Sequence, residues 1–171
     1  DEMVRAPQIR RWRSAPPLLI ETRTLQYTDV NASSAPATAD AMTTAEYDLM
    51  VSDLAWALPQ MSGDAFLGFA GVTRQDSPTS GNVQLLNSSR ITVARIAGLT
   101  SATGFWGYGR WQAASDGTVV SGIVMLDRDF ERSGSTFRRS LRAHELGHSL
   151  GYNHVTLRTS VMNSSARIEP N

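Results

Sequence analysis

Hydrophobic and polar positions along the chain follow two periods, one of about two residues and one of three to four, and the changes between them mark out strands and helices. After Pro16 and Pro17, a pair with no place inside a helix, residues 18–25 form an extended run of Leu, Ile and Thr that predicts a strand. Residues 31–41 are rich in Ala, Ser, Thr and Pro and predict a loop. From 44 to 58, Tyr47, Met50, Val51, Leu54 and Leu58 recur at spacings of three and four, so a helix with its apolar face in the core is expected, closed by Pro59. A second strand is expected over 65–72, followed by a turn-rich segment through Pro78 and Gly81. A third covers 91–96, where Ile91, Val93 and Arg95 alternate with Thr92, Ala94 and Ile96. A link from Gly98 to Gly104 leads into a glycine and aromatic segment with Phe105, Trp106, Gly107, Tyr108, Gly109 and Trp111, and then to a strand over 119–126. Phe137, Leu141, Leu146 and Leu150 fall in a stretch without proline, predicting a helix over 135–150 with Ser133 or Ser135 as its cap.

Composition narrows the class. At 171 residues and 41% hydrophobic, the chain can bury the core of one domain, taken as 1–171, and has little room for two. Sixteen basic and sixteen acidic residues cancel, so no net field draws polyanions, and nucleic acid is not an expected partner. Arg10, Arg11 and Arg13 make a local basic cluster, read as a solvated terminal segment. No apolar run approaches the roughly 20 residues that cross a bilayer. The absence of cysteine excludes disulfides, thiolate nucleophiles and thiolate metal sites. Because the chain opens at Asp1 instead of an initiating methionine, the expectation is a processed, exported protein whose leader is not part of this sequence; a monomer is also expected.

The chemistry lies late in the chain. His144 and His148 are four residues apart and project from one helical face, close enough for both imidazoles to reach a single metal ion. Glu145 lies about 100° around the helix, where a carboxylate can act on a water at the metal without becoming a ligand. Gly151 can adopt the left-handed conformation that turns the chain out of the helix, and such a turn can bring in His154. Three neutral imidazoles leave a fourth position open, the pattern of a catalytic zinc. Taking each specified residue as roughly one in twenty, the full spacing arises by chance below about 1 time in 10,000. These are also the only three histidines in the chain, gathered into eleven positions (144–154). The expected machinery is a Zn2+ ion on His144, His148 and His154, with Glu145 as general base.

The run from His144 to His154, followed by Ser160, Val161 and Met162, resembles the metzincin zinc peptidases, and its Leu-Gly and Ser-Leu-Gly fillers are most similar to the matrixin branch. The resemblance implies an α+β, zincin-like fold: a mixed, mostly parallel twisted sheet of about five strands, with an antiparallel edge strand over the cleft, on two main helices. It implies that Met162 forms a turn beneath the metal. It also implies an acidic segment before the active-site helix, matched by Asp127, Asp129 and Glu131, where Ca2+ and a solvated acidic turn are both open readings. The edge strand is matched by residues 105–113, so Trp106, Gly107, Tyr108 and Gly109, with Trp111, are candidate contacts for an extended peptide or protein substrate. The glycines there would let another backbone approach closely. Asn163, Ser164 and Ser165 are candidates for the wall of the pocket that takes the residue after the scissile bond. A pro-segment or a protein inhibitor are further partners for such a cleft. Val155 stands where matrixins carry serine or threonine, and with every histidine used, the structural second zinc of that branch, held by histidines and an aspartate, cannot form here in its usual way.

Two other classes use the same metal pattern. A hydrolase of small amides would close its zinc site into a pocket, whereas an endopeptidase needs an open groove beside a free strand edge. An interaction module with a vestigial site would bind metal without turnover.

Overall fold

The computed structural model describes residues 10–26, 38–77, 86, 89–157 and 159–164. Among these residues seven strands join in one sheet: β1 (Leu18–Glu21), β2 (Leu25–Gln26), β3 (Thr38–Ala39), β4 (Val72–Gln75), β5 (Ile91–Ile96), β6 (Gly107–Ala113) and β7 (Val119–Asp127). The principal strands lie in the order β4, β1, β5, β7, β6. The first four are parallel and β6 runs antiparallel at the edge. The short antiparallel pair β2 and β3 joins the far end of β5 through Ala39 and Ile96. The architecture is thus α+β with a mixed, mostly parallel sheet, as the resemblance implied.

Alternation along the buried strands sorts side chains to two faces. Ile91, Val93, Val124 and Leu126 point into the main core, under α1 (Thr44–Ser62) and α4 (Arg138–Leu150). Ala94, Ile96, Ile123 and Met125 point the other way, and with Ala39 and Leu99 form a smaller cluster. Arg95 is buried on the α1 side, where it pairs with Glu46 at 2.6 Å and Asp40 at 2.9 Å. Helix α1 begins with a reciprocal cap, Thr43 Oγ1 accepting from the Glu46 N–H while Glu46 accepts from the Thr43 N–H. Its predicted stripe is present, with Met50, Leu54 and Leu58 buried and Tyr47 and Val51 packed on them.

Several elements differ from the sequence expectation. Pro59 does not end α1; the helix continues to Ser62, because Met61 extends the buried stripe and Gly63, at φ +61°, closes the turn by donating to the carbonyls of Pro59 and Gln60. The strand expected over 18–25 breaks after Glu21, whose carboxylate takes the backbone N–H and guanidinium of Arg23 and turns the chain before β2. Thr38 and Ala39, inside the expected loop 31–41, form β3, and residues 31–37 lie outside the described residues, as do Pro78 and Gly81. Residues 65–71 are not a strand: Phe66 N–H bonds Ser62 Oγ, Ala70 N–H bonds Pro16 O, and Phe66 and Phe69 pack on the core. Pairing begins only at Val72, opposite Leu18. The Gly98 to Gly104 link contains the short helix α2 (Leu99–Thr103). Helix α4 starts at Arg138 with Phe137 at its cap position, not Ser133 or Ser135, since Ser133 Oγ is engaged by Ser135 N–H and Ser135 Oγ by Phe137 N–H.

The acidic segment carries α3 (Arg128–Arg132), capped by Asp127, whose Oδ1 accepts from the N–H groups of Asp129 and Phe130 and whose Oδ2 accepts from Thr100. Asp129 pairs with Arg128, and the buried Glu131 with Arg142. Each of the three carboxylates proposed for Ca2+ therefore has a protein partner. Among the described residues, no helix is long and apolar enough to cross a membrane.

Candidate metal centre and cleft

Helix α4 delivers the first two imidazoles, one turn apart. Gly151, at φ +112°, ends it by donating to the carbonyls of Gly147 and His148, and no side chain fits there, since a Cβ would lie 2.7 Å from Arg10 O. The chain then reverses and brings His154 alongside. The three Nε2 atoms form a nearly equilateral triangle with sides of 3.1, 3.1 and 3.2 Å. Tetrahedral zinc with bonds of about 2.0–2.1 Å holds its nitrogens about 3.3 Å apart, so the donor set fits that ion.

The other ring nitrogens fix the tautomers. His144 Nδ1 lies 2.6 Å from Val161 O and His148 Nδ1 lies 2.8 Å from Tyr152 O. A carbonyl only accepts, so both Nδ1 atoms carry the proton and both Nε2 atoms present lone pairs. Two lone pairs 3.1 Å apart repel unless a cation lies between them. Burial holds His144 below the ordinary imidazole value and His148 down to about 4, neighbouring imidazoles adding to the effect, so both are neutral at pH 7.

The turn under the site explains Met162 and Val155. Val161 and Met162 are buried in a turn fastened by Ser160 N–H to Asn163 Oδ1 at 2.7 Å and Met162 N–H to Ser160 Oγ at 3.1 Å. Val155 is buried too, and its N–H donates to Met162 O at 2.9 Å while its carbonyl accepts from the Asn163 amide. The Met162 thioether sits against Gly147, where an added Cβ would lie 2.4 Å from Sδ. The sulfur thus supports the helical turn between the first two histidines, and Val161, one residue earlier, orients His144.

Glu145 is only 5% exposed. Burial pushes its carboxyl up to about 8, against the Gly109 N–H that stabilises the charged form. A cation on the adjacent imidazoles acts in the opposite direction and favours the carboxylate. Gly107 leaves the room this carboxylate occupies, since a Cβ there would lie 2.6 Å from Oε1. At Gly109 a Cβ would lie 2.4 Å from Glu145 O and 2.6 Å from His148 Cβ. The open faces of both glycines are therefore turned to α4: at Gly107 the Glu145 side chain approaches, and at Gly109 the helix backbone does.

A cleft of about 610 Å³ contains the three histidines and Glu145, with Phe105, Trp106, Gly107, Tyr108, Gly109, Trp111, Leu141, Asn153, Asn163 and Ser164 among its lining. Trp106 and Phe105 stand exposed on its rim, Trp106 stacked on Phe130 with ring centroids 4.7 Å apart. Tyr108 packs on the smaller cluster, on the opposite sheet face from Trp111. The Asn163 amide serves the turn, and Ser165 lies outside the described residues. Sequence reasoning missed Gly147, whose place inside the histidine motif was its only signal, and Arg142, a buried arginine on the ligand helix that pairs with Asp53 at 2.8 Å and with Glu131.

No protein-family model matches this chain, and no curated protein matches it either.

Proposed function

We propose that this protein is a zinc-dependent endopeptidase of metzincin type. The observation that carries the reading is the triangle of Nε2 atoms at zinc spacing, two of them held as lone-pair donors by carbonyls, beside a buried carboxylate that lines the same cleft. Zinc in such a site supplies a Lewis acid with an open position, which acidifies water and polarises a carbonyl. Glu145 accepts the proton from the attacking water and passes it to the departing amine, with the Gly109 N–H holding its carboxylate in place. Trp106 and Phe105 give the substrate an apolar surface on one side of the cleft.

The endopeptidase reading is favoured over a small-amide hydrolase by β6. Among the described residues this strand pairs only with β7, which leaves its outer N–H and C=O groups, apart from the Gly109 N–H that Glu145 accepts, available to an extended peptide. The test is digestion of a peptide library by zinc-loaded protein, with Glu145→Gln alongside. Internal cleavage of peptides of about six or more residues is expected, slowed about 100-fold to 10,000-fold in the variant with zinc retained. Equal cleavage of dipeptides shifts the reading to a small-amide hydrolase, and wild-type rates in Glu145→Gln remove it from the base role.

A further inference from the structure

A second cavity, of about 520 Å³, runs along β6 beyond the metal cleft and is lined by Arg10, Tyr108, Gly109, Arg110, Trp111, Ala113 and Ala114. Three of these residues, Tyr108, Gly109 and Trp111, line both cavities, so the two are continuous along the strand edge. Alternation along β6 sends Trp111 to the α4 side and Tyr108 to the other, with Arg110 on the Tyr108 side. Arg10 approaches from the α4 side, its guanidinium 5.6 Å from the centroid of the Trp111 ring. The edge is thus flanked by one guanidinium on each face. Among the described residues no carboxylate lines the cavity and neither Arg10 nor Arg110 forms an ion pair. In a chain of zero net charge, two guanidinium groups without a carboxylate partner among the described residues, one on each face of a strand edge that pairs with no further strand there, mark a place for an anion supplied from outside.

We propose that Arg10 and Arg110 form a specificity subsite that selects an acidic side chain in the substrate, a few residues to one side of the scissile bond. The inference rests on the endopeptidase reading and adds its substrate class: extended peptides with Asp or Glu on one flank. The placement follows from strand geometry. A peptide paired to β6 rises about 3.3 Å per residue, so the stretch from Gly109, beside Glu145 and His148, to Ala113 spans about 13 Å, or about four substrate residues. Successive side chains of that peptide point to alternate faces, one toward Arg10 and the next toward Arg110, so an acidic residue two to four positions from the cleaved bond meets one guanidinium or the other.

The test uses zinc-loaded protein and a peptide library analysed for cleaved sequences, followed by kcat/KM for a matched pair of peptides with Glu or Gln at the selected position. Enrichment of Asp and Glu two to four positions from the cleaved bond, on one side only, is expected. The Glu peptide should be preferred roughly 2-fold to 5-fold, a preference that shrinks as salt rises. Arg110→Glu and Arg10→Glu should each reduce or invert the preference, and the double variant should favour Lys. Fluorescence anisotropy of the labelled Glu peptide on zinc-loaded Glu145→Gln protein gives the same ranking without turnover. Cleavage with no acidic enrichment, or a preference untouched by both charge reversals, overturns the subsite and leaves the peptidase reading standing. No cleavage of any peptide overturns both.

Discussion

Substituting alanine at Gly107 or Gly109 separates the two tasks these positions perform. At Gly109 the new Cβ would meet backbone, 2.4 Å from Glu145 O and 2.6 Å from His148 Cβ. Ordinary carbon contacts lie at about 3.5–4.0 Å, so α4 must retreat by about 1 Å from β6, carrying His144 and His148 with it. Overpacking of this kind costs about 1–3 kcal/mol, and a misplacement of about 1 Å at reacting groups costs about 100-fold in rate. At Gly107 the clash is with one side chain only, Glu145 Oε1 at 2.6 Å, Cγ at 2.8 Å and Cδ at 2.9 Å, which can change rotamer without moving the helix. Gly109→Ala should therefore lose stability, zinc affinity and kcat together. Gly107→Ala should fold and bind zinc normally while kcat falls by at least about 10-fold, because only Glu145, the proposed base, has moved. Urea unfolding, zinc content and kcat/KM on a quenched fluorescent peptide report the three quantities. Neither glycine has a positive φ, so alanine introduces no backbone strain to confuse the result. A Gly109→Ala protein as stable and active as wild type would refute the packing argument, as would a Gly107→Ala protein that kept full kcat.

Two further predictions concern the frame. Arg142→Met should destabilise the fold by about 3–5 kcal/mol in urea unfolding, because it strands Glu131 and Asp53 without their buried partner; a loss below about 1 kcal/mol would show that these carboxylates reach other partners or water. The Glu46 carboxyl is held down to about 2, chiefly by the Arg95 guanidinium and then by the Thr43 N–H, with burial opposing. A folded value below the unfolded one gives stability that is complete above about pH 4.5 and is lost as pH falls toward 2. Glu46 is part-exposed, which reduces its contribution to about 1 kcal/mol. Glu46→Gln should thus be about 1 kcal/mol less stable at pH 7, and the gap should close by about pH 2 in thermal melts taken across the range.

Local pattern made some of this legible and long-range contact hid the rest. The histidine spacing, the turn at Gly151 and the stripe on α1 depend on residues close in sequence, so periodicity and backbone freedom suffice to read them. The strands over 91–96 and 119–126 were readable for the same reason. The continuation of α1 past Pro59 depends on Met61 reaching Gly147, 86 positions away, and no local rule contains that contact. The glycines at 107 and 109 suggest room for a substrate backbone, whereas the close approach in the fold is made by Glu145 and His148 of α4, a long-range contact that no local rule contains. The strand expected over 65–72 begins at its last residue, because pairing with Leu18 decides where backbone bonds form. Asp127, Asp129 and Glu131 looked like loose acidic ligands only because their partners, Thr100, Arg128 and Arg142, include residues on other elements.

Zinc content and coordination of the protein after zinc reconstitution and dialysis test the central claim most directly. One zinc per chain is expected, with X-ray absorption showing three imidazole nitrogens and one oxygen at about 2.0–2.1 Å, and His148→Ala losing the ion. A stoichiometry near zero, or zinc retained equally by His148→Ala, would contradict the site on which the proposed function stands.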